Sequence, residues 1–207
     1  TPSNSSAASD VYKRQGRVQL PVPKGEMAFS YHHRTADSRE NPNIPAFEKI
    51  PENKYALDGK WDLGIGLWFE ASWVQKSKDL GLLTNQGMMT LGSDYTFGLG
   101  NGLNMGVEHL FLSSDSVAFA LENRLQVSAI TITYPLGLFD RISGYLFYLW
   151  QDQGNFSFML NYAHSFPHIS LYIMPFYTPE MQQDLFTNRY NQSQTGPGLR
   201  IMAVFNH

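Results

Sequence analysis

Between Gly154 and Tyr177 the chain reads GNFSFMLNYAHSFPHISLYIMPFY, and its first half alternates without a break. Phe156, Phe158, Leu160 and Tyr162 fall on one parity, with Asn155, Ser157, Met159, Asn161 and Ala163 on the other. Successive side chains of an extended backbone leave on opposite faces, so a period of two specifies a strand with one apolar and one small, polar face. Ser165-Phe166-Pro167 interrupts the pattern, and Ile169, Leu171 and Ile173 begin a second strand. The pair is a hairpin, and a hairpin apolar on one face is not stable alone. The rest of the chain must supply more of the same.

It does so at most positions. Gly16–Gly25 reads as an extended, Pro-rich lead-in. In 26–34, Met27, Phe29, Tyr31 and His33 oppose Glu26, Ala28, Ser30, His32 and Arg34. Residues 35–53 carry Pro42, Pro45 and Pro51 among polar residues and read as a long loop. From Tyr55 to Trp73 the odd positions are almost all apolar. Nineteen residues is long for one strand, so two strands joined at Asp62-Leu63-Gly64 are expected, with one continuous strand as the alternative. Residues 76–86 form a loop. Met89, Leu91, Tyr95 and Phe97 make the next apolar face, Gly98–Gly102 (GLGNG) a turn, and Leu103, Met105, Val107 and Phe111 the following face. Residues 117–134 are rich in strand formers, with a slip in parity near Ala129-Ile130 that suggests a bulge. Pro135-Leu136-Gly137 turns the chain into a strand over 139–151. Residues 178–197 are polar, with a short helical turn expected near 180–186, and Leu199, Ile201, Ala203 and Phe205 make the last strand. The total is about ten strands of an antiparallel, up-and-down, all-β fold.

Composition narrows what such a sheet is for. The 207 residues suit one domain, and 16% charged residues is below the roughly 25% of ordinary soluble domains. A mean hydropathy of −0.29 still suits a membrane barrel, half of whose strand residues face a wet lumen. A membrane-spanning helix needs about 18 or more consecutive apolar residues, and the best stretch, 142–150, is half that length. Net charge −3 without a basic run gives no reason to expect nucleic acid. The absence of cysteine removes disulfides, thiolate metal sites and cysteine nucleophiles.

The charged partners of the apolar alternates are Glu26, His32, Arg34, Asp58, Lys60, Asp62, Glu70, Asp94, Glu108, Glu122, Arg124 and Arg200. They are the candidate lumen-lining residues of a transmembrane barrel. The candidate lipid-facing or girdle residues are Phe29, Tyr31, Trp61, Phe69, Trp73, Tyr95, Phe97, Phe156, Phe158, Tyr162 and Phe205. Only a closed sheet satisfies strand backbone inside lipid. With the C-terminus in the periplasm, the long loops all fall on the outer side and the short turns on the inner side, as in bacterial barrels. On these residues, and on the near-terminal aromatic of Ala203-Val204-Phe205-Asn206-His207, residues 16–207 resemble the porin-like outer-membrane β-barrels of Gram-negative bacteria. The resemblance implies outer-membrane lipid, small solutes and the barrel-assembly machinery as partners, no cofactor, and no particular oligomeric state.

Ser5–Gln15, SSAASDVYKRQ, resembles the in-frame translation of an adapter used in sequencing libraries. Residues 1–15 are therefore set aside as a leader foreign to the fold, and residues 16–207 are expected to be the C-terminal part of a larger barrel. His32 and His33 must point to opposite faces and cannot share a metal, and no carboxylate spacing completes a site at His164 and His168. No GxSxG elbow accompanies the His164-Ser165 pair. No catalytic, cofactor-binding or metal-binding residue is assigned, and no enzyme activity is expected. Three functions remain open: a passive porin-like channel, a non-conducting structural or surface-binding barrel, and a soluble β-sandwich or lipocalin-like binder.

Overall fold

A computed structural model describes residues 13–39, 45–151, 155–179 and 195–205. Among them the chain forms eleven strands and one three-residue 3-10 turn at Gly81–Leu83. The strands are β1 (Lys13–Val22), β2 (Gly25–Ala36), β3 (Ile50–Asp62), β4 (Gly66–Lys76), β5 (Asn85–Phe97), β6 (Leu103–Asp115), β7 (Arg124–Pro135), β8 (Asp140–Leu149), β9 (Asn155–Ser165), β10 (Ile169–Thr178) and β11 (Gly196–Phe205). They make one antiparallel up-and-down sheet in sequence order from β1 to β11. Among the described residues no helix is long and apolar enough to cross a membrane.

Several boundaries differ from those read in the sequence. The Pro-rich lead-in is a strand: β1 pairs with β2 over its whole length, from Lys13↔Arg34 to Val22↔Gly25. It takes in Lys13, Arg14 and Gln15, which the sequence reading had set apart, and raises the count from about ten to eleven. Proline is tolerated there because Pro21 and Pro23 sit at the strand end and in the turn, where a missing N–H costs least. Residues 55–73 are two strands, broken at 63–65. The apolar run Val117–Leu121 is a connection, and β7 begins only at Arg124. Near Ala129 no bulge interrupts the ladder with β8: β7 pairs with it without a slip from Val127↔Leu149 to Pro135↔Arg141. The helical turn expected near 180–186 lies outside the described residues.

Connections alternate in length along the chain. Residues 23–24, 63–65, 98–102, 136–139 and 166–168 make the first, third, fifth, seventh and ninth, none longer than five residues. The even-numbered ones, 37–49, 77–84, 116–123, 150–154 and 179–195, run from five residues upward. In the fifth connection Gly102 N donates to Leu99 O at 3.0 Å, with Gly100 and Gly102 at φ +56° and +96°, a region that glycine enters without a Cβ clash.

The chain packs as two compact units. One holds the residues up to Gly59 with Glu70–Met89 and Leu112–Arg124; the other holds Lys60–Phe69, Thr90–Phe111 and Leu125 onward. Among the described residues buried apolar side chains are few: Ala28, Ile50 and Leu80 in the first unit, Ala163 and Met174 in the second. In the first, the large apolar alternates are the exposed ones, Phe29 at 48% and Leu57 at 41%, while Ala28 and Glu52 are buried. In the second, Leu91, Val107, Ile132, Leu146, Phe156, Leu160 and Ile201 are exposed, whereas Ser143 and Ser170 are buried. Burial thus runs opposite to the usual preference of side chains in water.

Candidate functional site

The face opposite the exposed apolar alternates is where polar chemistry collects, and the two units furnish it differently.

In the first unit it is laced by ion pairs between strands. On β1, Arg17 donates through Nη1 and Nη2 to both carboxylate oxygens of Asp58 on β3, each at 2.8 Å, and through Nη1 to Ser30 Oγ on β2 at 3.1 Å. One strand over, Arg34 on β2 donates to Glu52 on β3 through Nε and, at 3.2 Å, through Nη2. Lys76 on β4 lies with Nζ 3.8 Å from Glu52 Oε2 and donates to Leu83 O at 2.7 Å and Gln86 Oε1 at 3.1 Å. Gln19 donates to Glu26 at 2.6 Å. Bidentate geometry fixes the Arg17 and Arg34 forks in place. Glu52 is only 5% exposed as a side chain, so its two cations offset the cost of burying its charge.

In the second unit the same face carries Lys60, Asp62, Asp94 and Glu108 beside neutral hydrogen-bonded pairs. Asn104 donates to Thr96 Oγ1 at 3.0 Å, and Thr133 to Ser143 Oγ at 3.2 Å. Asp94 leans over Gly66, where a Cβ would meet its Oδ1 at 2.0 Å, and the Trp68 indole likewise covers Gly92. Tyr145, Phe147, Met159, Tyr172, Met174 and Phe176 occupy this face on β8, β9 and β10, with Arg200 on β11.

The candidate lumen residues sort as follows. Glu26, His32, Arg34, Asp58, Lys60, Asp62, Asp94 and Glu108 lie on strands, at the parity opposite the main exposed apolar alternates of their own strand; Glu70 lies on β4, whose apolar residues are half-buried, and Arg200 on β11 lies opposite Leu199 and Ile201 but shares the parity of the exposed Met202 and Val204. Glu122 does not: it sits in the connection before β7, because the run that was to carry it is not a strand. Arg124 opens β7 at the parity of the exposed Ile130 and Ile132. Missed altogether were Arg17, Glu52 and Lys76, since their segments read as a lead-in and as loops. The usable signal was parity: Glu52 continues the even series of Asp58 and Lys60 past Pro51.

The apolar candidates sort similarly. Phe29, Tyr31, Tyr95, Phe97, Phe156, Phe158 and Phe205 are exposed. Trp61 and Phe69 stack on each other at 5.9 Å. Trp73 is covered by Phe119, whose ring lies 4.5 Å away and nearly parallel and whose backbone takes the left-handed φ of 61°. Tyr162 donates to Asp140 Oδ1 at 2.5 Å, and His164 Nδ1 lies 2.6 Å from the same oxygen. His33 Nδ1 lies 2.9 Å from Asn53 Oδ1, which also accepts from Tyr31 at 2.8 Å, on the face opposite His32.

Outside the strands, residues 37–39 are tied to residues 47 and 48. The Arg39 amide donates to Asp37 Oδ1 at 2.9 Å, and its guanidinium grips both Asp37 oxygens and also pairs with Glu48. The Arg39 side chain, aided by that amide, holds the Asp37 carboxyl below its ordinary value. Ser38 N donates to Phe47 O at 3.1 Å, and Phe47 N returns a bond to Ser38 Oγ at 2.8 Å.

Comparison of the chain with protein-family models, with curated proteins and with solved structures finds no match.

Proposed function

We propose that the chain is a membrane-spanning β-barrel of the bacterial outer membrane that passes small solutes passively through a polar lumen. One observation carries the reading: along its strands most of the large aliphatic and aromatic side chains are exposed, and the shielded ones, Ile50 and Met174 apart, are small, polar or charged. In water such a surface would be a sticky apolar band. In lipid it is the required one, because hydrocarbon solvates the outer alternates while a hydrated lumen takes the inner ones. Short connections alternating with long ones fit the short periplasmic turns and long outer loops of such barrels. A soluble β-sandwich or lipocalin-like binder would need the apolar alternates packed together, and the exposure of Leu57, Leu91, Leu160 and Ile201 speaks against it. The implied partners are outer-membrane lipid, small solutes and the assembly machinery that inserts barrels. No catalytic role is assigned.

The second reading, a non-conducting structural or surface-binding barrel, draws on the ion pairs of the first unit. Arg17–Asp58 and Arg34–Glu52–Lys76 span the polar face and would narrow a lumen. Single-channel recording in a planar bilayer separates the two. Discrete conductance steps above the protein-free baseline are expected. A flat trace from correctly inserted protein would remove the channel and leave the structural barrel.

A further inference from the structure

The polar face of the second unit becomes apolar toward one end of β8–β11. Direct cross-strand neighbours there are Phe147 and Ser157, Met159 and Phe176, and Met174 and Arg200, forming one contiguous patch over four strands. These side chains line a cavity of about 200 Å³. Its shape depends on a missing side chain. Gly198 pairs with Phe176, and a Cβ on it would meet the ring at 2.3 Å, so the ring leans over β11. The two thioethers are soft and adjust to an inserted apolar group. Arg200 is the only charged residue lining the cavity, and among the described residues it has no acidic partner.

From these features we infer that this cavity binds a small amphipathic carboxylate, with its apolar body between Phe147, Met159, Met174 and Phe176 and its head on the Arg200 guanidinium. A carboxylate matches the planar fork of arginine with two parallel hydrogen bonds. An aromatic and thioether wall beside a single cation suits an apolar body carrying one negative charge; a dianion or a sugar would leave charge or hydroxyls against Phe147 and Phe176. Pockets for drug-sized ligands run from roughly 300 to 1,000 Å³, so this one takes a single ring with a short chain. The binding itself needs only the folded sheet; its use as a step in solute passage rests on the channel reading.

Methionine methyl resonances give a site-specific test. The full chain would be labelled at methionine, inserted in phosphatidylcholine nanodiscs and titrated with 4-phenylbutyrate, 4-phenylbutanol and 4-phenylbutylamine. Saturable shifts of Met159 and Met174 are expected with the acid, with Met88, Met89 and Met105 unmoved. The alcohol and the amine should bind about tenfold more weakly or worse, the usual loss when a charged hydrogen-bond partner is removed. Arg200→Gln should bring the acid down to the level of the alcohol, with the wild-type ligand series deciding the matter if that variant does not insert. Equal affinity for all three compounds, or shifts spread over every methionine, would overturn the site in favour of plain partitioning. Binding without conductance would sink the channel and leave the site standing; conductance without binding would do the reverse.

Discussion

The polar faces of β1–β4 and β8–β11 are built from the same alternation and differ in almost everything else. The first is a ladder of charges, with Arg17, Asp58, Arg34, Glu52 and Lys76 joined across strands. The second holds Tyr145, Phe147, Met159, Tyr172, Met174 and Phe176, with Arg141 on β8 and Arg200 on β11. The opposite faces of the two regions are alike: Leu57 on β3 and Leu160 on β9 are exposed to similar extents, 41% and 45%. The contrast separates two kinds of constraint. The apolar face answers to a surrounding medium that both regions share, so it cannot vary much. The polar face answers to local partners, so it can be charged in one place and aromatic in another.

Placing a charge on the common face should have the largest effect. Leu57→Lys and Leu160→Lys are each expected to cost about 2–4 kcal/mol in a bilayer if these residues sit near its midplane. Urea unfolding from lipid vesicles would measure it. If either lysine were neutral, the exposed face would be meeting water, and the membrane reading would fail for that region.

Within the charged face, Glu52→Leu leaves Arg34 and Lys76 without their carboxylate. Breaking a fully buried pair costs about 3–5 kcal/mol; with Arg34 45% exposed, about 2–3 kcal/mol is expected here. The triple change Arg34→Met, Glu52→Leu, Lys76→Met removes the charges together and should recover most of that loss in the same unfolding assay. Recovery would show that the network tunes the lumen and does not hold the sheet. A triple variant as unstable as the single one would make the ion pairs structural, and the contrast with β8–β11 one of stability.

The smallest effect lies outside the strands. The Asp37 carboxyl is held below its ordinary value of 3.8, chiefly by the Arg39 side chain. A depressed folded-state value stabilises the ionised connection above pH 3.8, and that contribution disappears as pH falls through the lowered value. Amide exchange at Arg39 and Phe47 should therefore stay protected across neutral pH and rise only in strong acid. Asp37→Asn should abolish the transition. A change centred near neutrality would assign it to some other group.

Much of the fold was legible because a strand writes its faces into the sequence at a period of two. Phe156, Phe158 and Leu160 against Ser157 and Met159 declare a two-faced strand with no knowledge of its neighbours. The same parity separated Phe29 and Tyr31 from Glu26 and Arg34. Where parity is short or carries proline, local pattern fails: it makes β1 a lead-in and Val117–Leu121 a strand. Both errors have one cause. Whether an extended segment pairs depends on a partner strand, and Lys13–Val22 has β2 beside it, while Val117–Leu121 turns so that Phe119 reaches Trp73. The sequence by itself determined the all-β class, the alternation and the two-faced chemistry, because those follow from backbone geometry one residue at a time. Only the tertiary structure decided which charges meet and where the polar face turns apolar. Arg17 and Asp58 lie 41 positions apart, and Met174 meets Arg200 through a register that neither strand specifies alone.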